Sequence, residues 1–526
     1  MSVLRDQGLG AGSSPAAALA ARRLGVRQVS GFVGSAMAPL TTAAGALPAA
    51  YAVTGQTGIP IAFVGVGVLL AVFAVGYCAM AQRIPHSGAF YAYITHGLGR
   101  SAGVVALLIA QASYLAFVAA SIGGVGAAVS ALVESHTSAD LPWWIYAFAG
   151  LAVSVLLSVL RVEMSSRILA ALVVAELLVV LVLVAVGLTD PADGDLSWAG
   201  WSPARLADPG TAALAIVAVT AFVGFETTAV YAEEVRDRKR TVLRATFLTL
   251  GVFALLYAVA GWAIAEAAGP GQVVGFTRQH GADTIFVLLS GTLSAAAVTG
   301  AQVLFATGVL AALVAFHNAS TRYVFAPGRE GLLPARLGQI HARSNGPAAA
   351  SLAVSGFGLL VLLVAAVLDL DPLVHLFFYA GSLGGFGVLI LLVLASVAIV
   401  RYFAVEGRAD THWLVAFVAP VVSAFTLGAV LVLAVVHFDR LLGVPADDPL
   451  RWLPGLYLVA IVAGGVWAVI LRSRRPDIYA RIGLGPAVDH APRRAATGPR
   501  ADSDGRAGRS RSAGEDRGAG WTGETR

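Results

Sequence analysis

The chain has 526 residues, of which 58% are hydrophobic and 12% are charged, and its formal net charge is +5. Soluble domains carry about 25% charged residues, so water is not the main solvent of this protein. Its single cysteine, Cys78, excludes a disulfide framework, a thiolate metal cluster and a Cys-x-x-Cys redox motif. Because Cys78 lies in an apolar run, we also expect no disulfide-linked subunit. Of its 35 Lys and Arg residues, 12 lie in the last 55 positions. Such a tail indicates a cytoplasmic anchor beside a membrane, and we expect no binding to nucleic acid.

Apolar runs of about 17 to 25 residues, enough to cross about 30 Å of hydrocarbon, recur along the chain. They lie near residues 31–53, 60–81, 102–133, 143–160, 168–188, 211–232, 243–268, 297–326, 348–368, 373–400, 412–436 and 453–471. A further run at 283–295 is too short to span, and we expect it to form a half-buried external hairpin. The sequence therefore predicts an all-α polytopic protein in a lipid bilayer, with about twelve transmembrane helices.

Basic residues fall mainly in alternate connections between these runs. When residue 1 is placed in the cytoplasm, 31 Lys and Arg residues lie inside, and only Arg205, Arg278, Arg440 and Arg451 lie outside. Because positive residues concentrate in cytoplasmic loops, both termini are predicted to be cytoplasmic, in a plasma (inner) membrane.

Three regions follow from this topology. Residues 1–27 form a cytoplasmic N-terminal segment, residues 28–471 form the twelve-helix domain, and residues 472–526 form a basic cytoplasmic tail. The tail consists largely of Arg, Gly, Ala, Ser and Asp, so it buries too little apolar surface to offset its ordering entropy. We expect the tail to be disordered.

Two spans carry features of a helix that is interrupted inside the membrane. Gly34, Pro39, Gly45 and Pro48 crowd the first span, and Pro39 removes a backbone donor and clashes with the carbonyl four residues earlier. In the sixth span Gly224 precedes an intramembrane acid. Irregular backbone at this depth survives where it lines a cavity or is buried in protein, so both breaks indicate a binding site. A plain proline kink with small residues for close packing is the alternative for the first span.

Two carboxylates are placed where only a function or a specific partner explains them. Glu226 follows Gly224 in the sixth span, and Glu176 lies near the middle of the fifth. A carboxylate inside the membrane raises the free energy of the folded protein, so it is a candidate functional residue. His317 and Asn318 in the eighth span are possible partners for Glu176. The alternative is that each Glu, and His317 as well, is a hydrogen-bonded structural residue.

Four stretches together resemble the amino acid, polyamine and organocation (APC) transporter superfamily, and the likeness extends from about residue 28 to residue 470. They are the small-residue first span, QRIPHSGAFYAYITHGLGRSAG at 82–103, VGFETTAVYAEEVRDRKRTVLRA at 223–245, and REGLLPARLGQIHARSNGPAAAS at 329–351. The last three are similar to the superfamily's loop after the second helix, its sixth-helix motif and its loop after the eighth helix.

This resemblance implies two inverted five-helix repeats, helices 1–5 and 6–10, with broken helices 1 and 6 and two peripheral helices. It also implies that a substrate carboxylate meets amides of the broken first helix, while the substrate amine meets carbonyls of the broken sixth. The substrate-binding residues so assigned are Ser35, Ala36, Met37, Ala38 and Thr41 in the first span, and Phe222, Gly224, Phe225 and Glu226 in the sixth. Tyr114 in the third span is a further candidate, for closing the site.

The sequence departs from the superfamily pattern at two places. Ala38-Pro39-Leu40 replaces the usual glycine-rich break, which removes one amide. Some proton-coupled relatives carry a lysine in the middle of the fifth helix that stands in for a sodium ion, whereas this chain has Glu176 nearby. An acid at this position can cycle a proton, hold a cation or meet an amine.

The sequence thus predicts secondary transport of an amino acid or related small amine by alternating access, coupled to a proton or a monovalent cation. Ion coupling is assigned to Glu176, His317 and Asn318. No catalytic residue, metal site or cofactor is expected. A membrane-embedded transferase is an alternative, but the loops are short and lack a cluster of Asp, His or Arg at an interface. A transporter-like sensor is the other alternative, although the tail offers no folded output module.

Overall fold

The computed structural model describes residues 25–84, 86–138, 141–159, 162–207, 210–231, 235, 237–341, 346–405, 411–445 and 447–485. Most of these residues are helical, and an isolated bridge between His341 and Gly346 is the single β-type pairing among them. The principal helices are α1 (Val26–Thr54), α2 (Ile59–Arg83), α3 (Ala89–Leu98), α4 (Arg100–His136), α5 (Trp143–Val159), α6 (Val162–Thr189), α7 (Thr211–Ala221, continued by Phe225–Ala229), α8 (Arg238–Ala268), α9 (Val273–His280), α10 (Thr284–Ser290), α11 (Ala295–Glu330), α12 (Ala348–Val367), α13 (Pro372–Val405), α14 (Leu414–Val436), α15 (Gly455–Arg474) and α16 (Pro476–Arg481).

Within the described ranges, ten helices are long and apolar enough to cross a membrane, and α5 and α7 are shorter apolar helices. Large apolar side chains cover the outer helices, as on α15, where Leu458, Val459 and Val462 are 65 to 66% exposed. Such contiguous apolar surface does not face water in a monomeric soluble protein. The chain is therefore an all-α polytopic membrane protein, as predicted. The short run at 283–295 contains the seven-residue helix α10.

The centre of the bundle depends on close approach of helices that small residues allow. α4 contacts α3, α11, α13 and α15. A Cβ atom at Gly123 would lie 2.4 Å from the Cβ of Leu376, and one at Gly124 would lie 2.8 Å from the ring of Phe377. Without a hydrophobic force between helices in lipid, this close packing is what stabilises the association of α4 with α13.

Both predicted breaks occur in the structure. In α1 the residue before Pro39, Ala38, adopts a left-handed conformation with φ 43°, and a π-helical turn at Thr42–Ala46 follows. Proline disfavours a helical conformation at the residue that precedes it, which explains why the helix is interrupted at Ala38. In α7 the interruption lies at Gly224, where φ is +119°, a value that glycine reaches at little cost.

The two ends of the helix bundle are composed of different elements. We call one the terminal end, and it comprises α3, the end of α11 at Glu330, and α16. We call the opposite one the far end. The far end carries α9, whose Arg278 donates to the carbonyl oxygen of Ala52 in the second half of α1 at 2.8 Å.

Order extends further along the C-terminal region than the sequence predicted. The tail was expected to be disordered from residue 472, but α15 continues to Arg474, α16 follows, and Ile482 is buried. Burial of Ile482 and contacts of Gly483 and Gly485 explain the correction, because they supply the interactions that the composition alone did not indicate. Residues 486–526 and the predicted N-terminal segment up to residue 24 lie outside the described residues.

Candidate functional site

A cavity of about 160 Å³ lies where the breaks of α1 and α7 meet. Gly224 makes this meeting possible, because a Cβ there would lie 2.8 Å from the Cβ of Ala36 and 3.2 Å from the amide nitrogen of Met37. Four of the residues assigned to the first break line the cavity: Ala36, Met37, Ala38 and Thr41. Other lining residues come from the second half of α1, from α4, α7, α11 and α13, and from the short helix Phe438–Leu442, which contributes Leu441.

The cavity wall is mainly apolar and aromatic. Phe117 on α4 and Phe316 on α11 stack with ring centroids 4.6 Å apart, and Phe377 and Phe378 lie on the α13 side. The side chains with polar atoms on this wall are hydroxyl-bearing ones: Thr41, Thr42, Ser121, Thr220 and Ser382. No charged side chain belongs to the described lining.

Thr41 is the best-placed polar group for a solute. In the part of the chain that the structure describes, its buried hydroxyl oxygen has no hydrogen-bond partner. A buried polar atom without a partner costs free energy, so this hydroxyl is the unsatisfied polar group nearest to the cavity wall among the residues described. Thr42, the next residue, instead donates to the carbonyl oxygen of Met37 at 3.1 Å.

The carbonyl oxygen of Met37, which the break in α1 exposes, accepts two hydrogen bonds from protein groups. Tyr257 on α8 donates to it at 2.8 Å, in addition to Thr42. Ser35 was expected in the binding site, but its hydroxyl donates to the carbonyl of Gly31 at 2.9 Å and does not belong to the cavity lining. Ser35 lies on the face of α1 that packs towards Leu169 on α6.

Glu226 is held away from the cavity. Its carboxylate accepts from the amide of Gly224 at 2.9 Å and from the hydroxyl of Tyr114 at 2.8 Å, and its carbonyl oxygen accepts from Tyr77 at 3.0 Å. The side chain is fully buried and is absent from the cavity lining. The expectation that it faces the cavity is therefore corrected, because the freed amide of Gly224 draws the carboxylate back onto the break.

The other residues assigned to the sixth span also lie behind the cavity wall. Phe222 packs against Phe63 and Tyr257, and Phe225 packs edge-on against Phe73. Val223, between them in sequence, lines the cavity instead.

Tyr114 lies between the cavity and the terminal end. It stacks on Tyr323 of α11 with ring centroids 5.0 Å apart, one helical turn from Phe117 in the cavity wall. Tyr77 contacts Phe90 and Tyr93 at 5.4 and 5.3 Å. Tyr77, Phe90, Tyr93, Tyr114 and Tyr323 form an aromatic layer on the terminal-end side of the cavity. Gly45, Ala46 and Ala49 extend the cavity lining along α1 towards the far end.

Glu176 lies directly behind the break in α1. Its Oε2 accepts from the amide of Leu40 at 3.2 Å, and in the described ranges its Oε1 accepts no hydrogen bond. The carboxylate fits there because Gly308 of α11 has no side chain: a Cβ would lie 2.7 Å from Oε1.

The expected partners of Glu176 are placed elsewhere. Both ring nitrogens of His317 are occupied, by Ser158 at 3.1 Å and Ser355 at 2.9 Å. The backbone carbonyl oxygen of Asn318 accepts a hydrogen bond from the Arg322 guanidinium at 3.2 Å. Gly308, which does contact Glu176, precedes His317 by nine residues, or about 13 Å of helix rise. The predicted pairing of Glu176 with His317 or Asn318 is therefore corrected.

Sequence reasoning missed the aromatic part of the wall. Phe117, Phe316 and Phe377 lie in spans that are apolar on every side, so the pattern does not separate cavity-facing from lipid-facing positions. The stretches that carry the superfamily resemblance are elsewhere in the chain and do not contain these residues.

Two comparisons with known proteins agree with this geometry. The model of the amino acid permease family matches residues 24–464. The chain is also 26% identical over 369 residues to the branched-chain amino acid permease BcaP of Bacillus subtilis (strain 168), an alignment that covers 66% of this chain and 74% of that protein. Together with the membrane-spanning fold and the cavity at two broken helices, the family match over most of the chain establishes that the protein belongs to the amino acid permease family of the APC superfamily, and is a transporter rather than an enzyme.

Proposed function

We propose that the protein carries a small α-amino acid with an apolar side chain across the plasma membrane by alternating access, coupled to a proton. The observation that carries the choice of substrate is the cavity at the two breaks, whose described lining contains aromatic, aliphatic and hydroxyl groups and no charged side chain. A cationic or dicarboxylic side chain would be buried there without a counter-charge, which is costly. This argues against polyamines, Lys, Arg, Asp and Glu as preferred solutes.

The volume of the cavity also favours a solute with a small apolar side chain. The cavity of about 160 Å³ is well below the roughly 300 to 1,000 Å³ of pockets that hold drug-sized ligands. A branched aliphatic side chain matches an apolar site of this size. The Bacillus subtilis relative is named a branched-chain amino acid permease, which points to the same class of solute.

The backbone of the breaks is the proposed partner of the zwitterionic part of the solute. The amide of Leu40 is engaged by Glu176, and Pro39 has no amide hydrogen, so the α1 break offers few free donors for a carboxylate. Thr41 lines the cavity and its hydroxyl has no partner among the described contacts, so rotation of this side chain would offer a donor to the solute. We therefore assign carboxylate binding to Thr41 and the neighbouring backbone, and amine binding to carbonyl groups near Val223.

Glu176 is the proposed coupling group. It is buried, it has a free oxygen among the described contacts, and it contacts the α1 break that also forms the cavity wall. A change of its protonation alters its bond to Leu40 and so the geometry of the break. Transport coupled in this way belongs to the class of proton symport or antiport.

The proposed topology has twelve transmembrane helices, with two inverted five-helix repeats, two peripheral helices and both termini in the cytoplasm. The ten long helices together with the shorter α5 and α7 match the twelve apolar runs, and the 31 to 4 division of basic residues supports the orientation. In this orientation the cavity extends towards the external side. Reporter fusions at residue 10 and at the C-terminus are expected to read cytoplasmic, and a periplasmic reading at either would contradict the topology.

Uptake into proteoliposomes tests the function. We expect accumulation of labelled leucine, driven by an imposed inward proton gradient and competed by valine and isoleucine, but not by lysine, glutamate or putrescine. A thermal-shift screen of the same compounds should rank them identically, because a ligand that binds only the folded state stabilises it by mass action. Competition by lysine or putrescine as effective as that by valine would contradict the proposed substrate class.

A further inference from the structure

A buried carboxylate at the terminal end receives hydrogen bonds from three separate parts of the chain. Glu330, the last residue of α11, is 2% exposed. Its Oε1 accepts from Nε2 of His86 at 2.8 Å and from the amide of Gly485 at 3.0 Å. Its Oε2 accepts from the hydroxyl of Tyr91 and from the amide of Gly483 at 2.9 Å. Half of the donors on this carboxylate thus come from residues 482–485.

The donor at His86 is identified by the bond that its other nitrogen makes. Nδ1 accepts from the amide of Gly88 at 2.9 Å, so Nε2 carries the hydrogen that is donated to Glu330. Since His86 lies between α2 and α3 and Tyr91 lies on α3, these two bonds join α11 to α3 at the terminal end. The same end contains the aromatic layer.

The segment 482–485 is shaped for this position. Gly483 and Gly485 both have φ of +78°, which turns their amides towards one point. Both amides donate to the one carboxylate of Glu330, and backbone N–H groups that converge in a turn form a concave site for an anion. A Cβ at Gly483 would lie 2.6 Å from Cγ2 of Thr95 on α3, so a larger residue does not fit there. Ile482 is 1% exposed and holds the segment against the bundle.

The segment is also attached to the bundle from its N-terminal side. Tyr479 of α16 exchanges a hydrogen bond with Ser101 of α4 at 2.9 Å, and the Arg100 guanidinium lies 5.9 Å from the Tyr479 ring centroid. α15 packs on α4, where Gly464 allows close approach to Val105. The segment therefore connects α4, α3 and α11 across the terminal end.

We propose that residues 482–485 are an intramolecular latch, which binds the Glu330 carboxylate and so holds the terminal end of the transport pathway closed. The inference rests on the proposed function in one respect, because alternating access requires this end to open. Opening parts α11 from α3, and the latch must leave Glu330 before that occurs. Loss of the latch leaves Glu330 with two donors instead of four and shifts the protein towards a form that is open at the terminal end.

Two truncations of the chain provide a matched test. One ends at Pro486 and keeps the latch, and the other ends at Arg481 and removes it, so both lack residues 487–526. We expect amide hydrogen exchange in residues 225–231 of the α7 break to be at least about tenfold faster in the chain that ends at Arg481, since bonds to a charged group are the stronger kind. These residues pack on the first half of α1, where Tyr231 stacks on Phe32 with ring centroids 4.8 Å apart, so their exchange reports separation of α7 from α1 rather than local fraying. Equal exchange in the two truncations would overturn the latch.

A pair of full-length variants tests the latch even if the chain that ends at Arg481 does not fold. Gly483→Val pushes the segment away from Thr95, whereas Gly443→Val places the same strain at a positive φ of 68° in open space at the far end. Faster exchange of residues 225–231 in the first variant alone supports the latch, and equal exchange in both refutes it. Proteoliposome uptake by the unaltered chain separates the two hypotheses. If residues 225–231 exchange equally in both variants and the unaltered chain still takes up solute, only the latch is refuted. If their exchange differs but the unaltered chain takes up no solute, only the proposed function is refuted.

Discussion

Glu176 on α6 accepts a hydrogen bond from the backbone amide of Leu40 at 3.2 Å, immediately after the break in α1. A side-chain carboxylate thus occupies a backbone donor of the broken helix beside the cavity. The helix that lines the cavity and the acid behind it are consequently linked, and a change at either one affects the other.

Glu176→Gln is expected to abolish accumulation driven by a proton gradient while it preserves folding and solute exchange. The glutamine carbonyl oxygen can still accept from Leu40, but the side chain no longer binds or releases a proton. The measurement compares accumulation under an imposed pH step with counterflow exchange, in vesicles that contain the same amount of protein. Full gradient-driven accumulation by this variant would show that Glu176 is only a hydrogen-bonded structural residue.

Gly308→Ala is expected to reduce gradient-driven accumulation although residue 176 remains a glutamate. The added Cβ would lie 2.7 Å from Oε1 of Glu176, so the carboxylate must move from its place behind α1. Overpacking of this kind costs about 1 to 3 kcal/mol, which should also lower the unfolding temperature. Gly300→Ala is the matched control, because Gly300 lies on the same helix and an added Cβ there would have no atom within 4 Å. Similar accumulation by both variants would argue against a positioning role for Gly308.

Glu226→Gln is expected to weaken solute binding through the shape of the α7 break, because the side chain does not line the cavity. The carboxylate accepts from both Gly224 and Tyr114, and a neutral amide replaces one of these oxygens by a donor. Loss of one bond to a charged group corresponds to about 1.5 to 3 kcal/mol. Isothermal titration with leucine gives the change in affinity.

Tyr114→Phe provides the companion measurement. It removes the hydroxyl that donates to Glu226 and keeps the stacking on Tyr323. In a double-mutant cycle, the two changes should be non-additive, since they affect the same hydrogen bond. Additive losses of affinity would indicate that Glu226 acts on the solute independently of Tyr114.

Phe316→Ala is expected to broaden the range of solutes. It removes one ring of the stacked pair with Phe117 and enlarges the cavity, so uptake of phenylalanine should rise relative to that of leucine. Phe425→Ala, at a position on α14 that is 77% exposed, is the control for loss of a ring at the lipid-facing surface. An unchanged ratio of phenylalanine to leucine uptake would remove Phe316 from the specificity-determining wall.

The membrane class and the position of the helices are available from the sequence alone. A span in lipid must satisfy its backbone internally and present apolar side chains outward, so length and composition suffice to locate it. The breaks are equally readable, because Pro39 and Gly224 act through their own local backbone geometry. The residues at the first break that the resemblance assigned, from Ala36 to Ala38 and Thr41, do line the cavity.

The direction in which each polar side chain points was decided by tertiary structure. Glu226 turns to the amide of Gly224, His317 turns to Ser158 and Ser355, and Glu176 turns to Leu40 beside Gly308. Each of these partners lies on a neighbouring helix or in a break. The distance between two residues along the sequence does not reveal that they are close in space. Glu330 is the clearest case, because all four of its donors lie more than 150 residues away in the sequence. Two of them belong to a segment whose composition predicted disorder. Composition determines which solvent a segment prefers, but a few hydrogen bonds to a buried charge determine whether a short polar segment docks, and those require the folded chain.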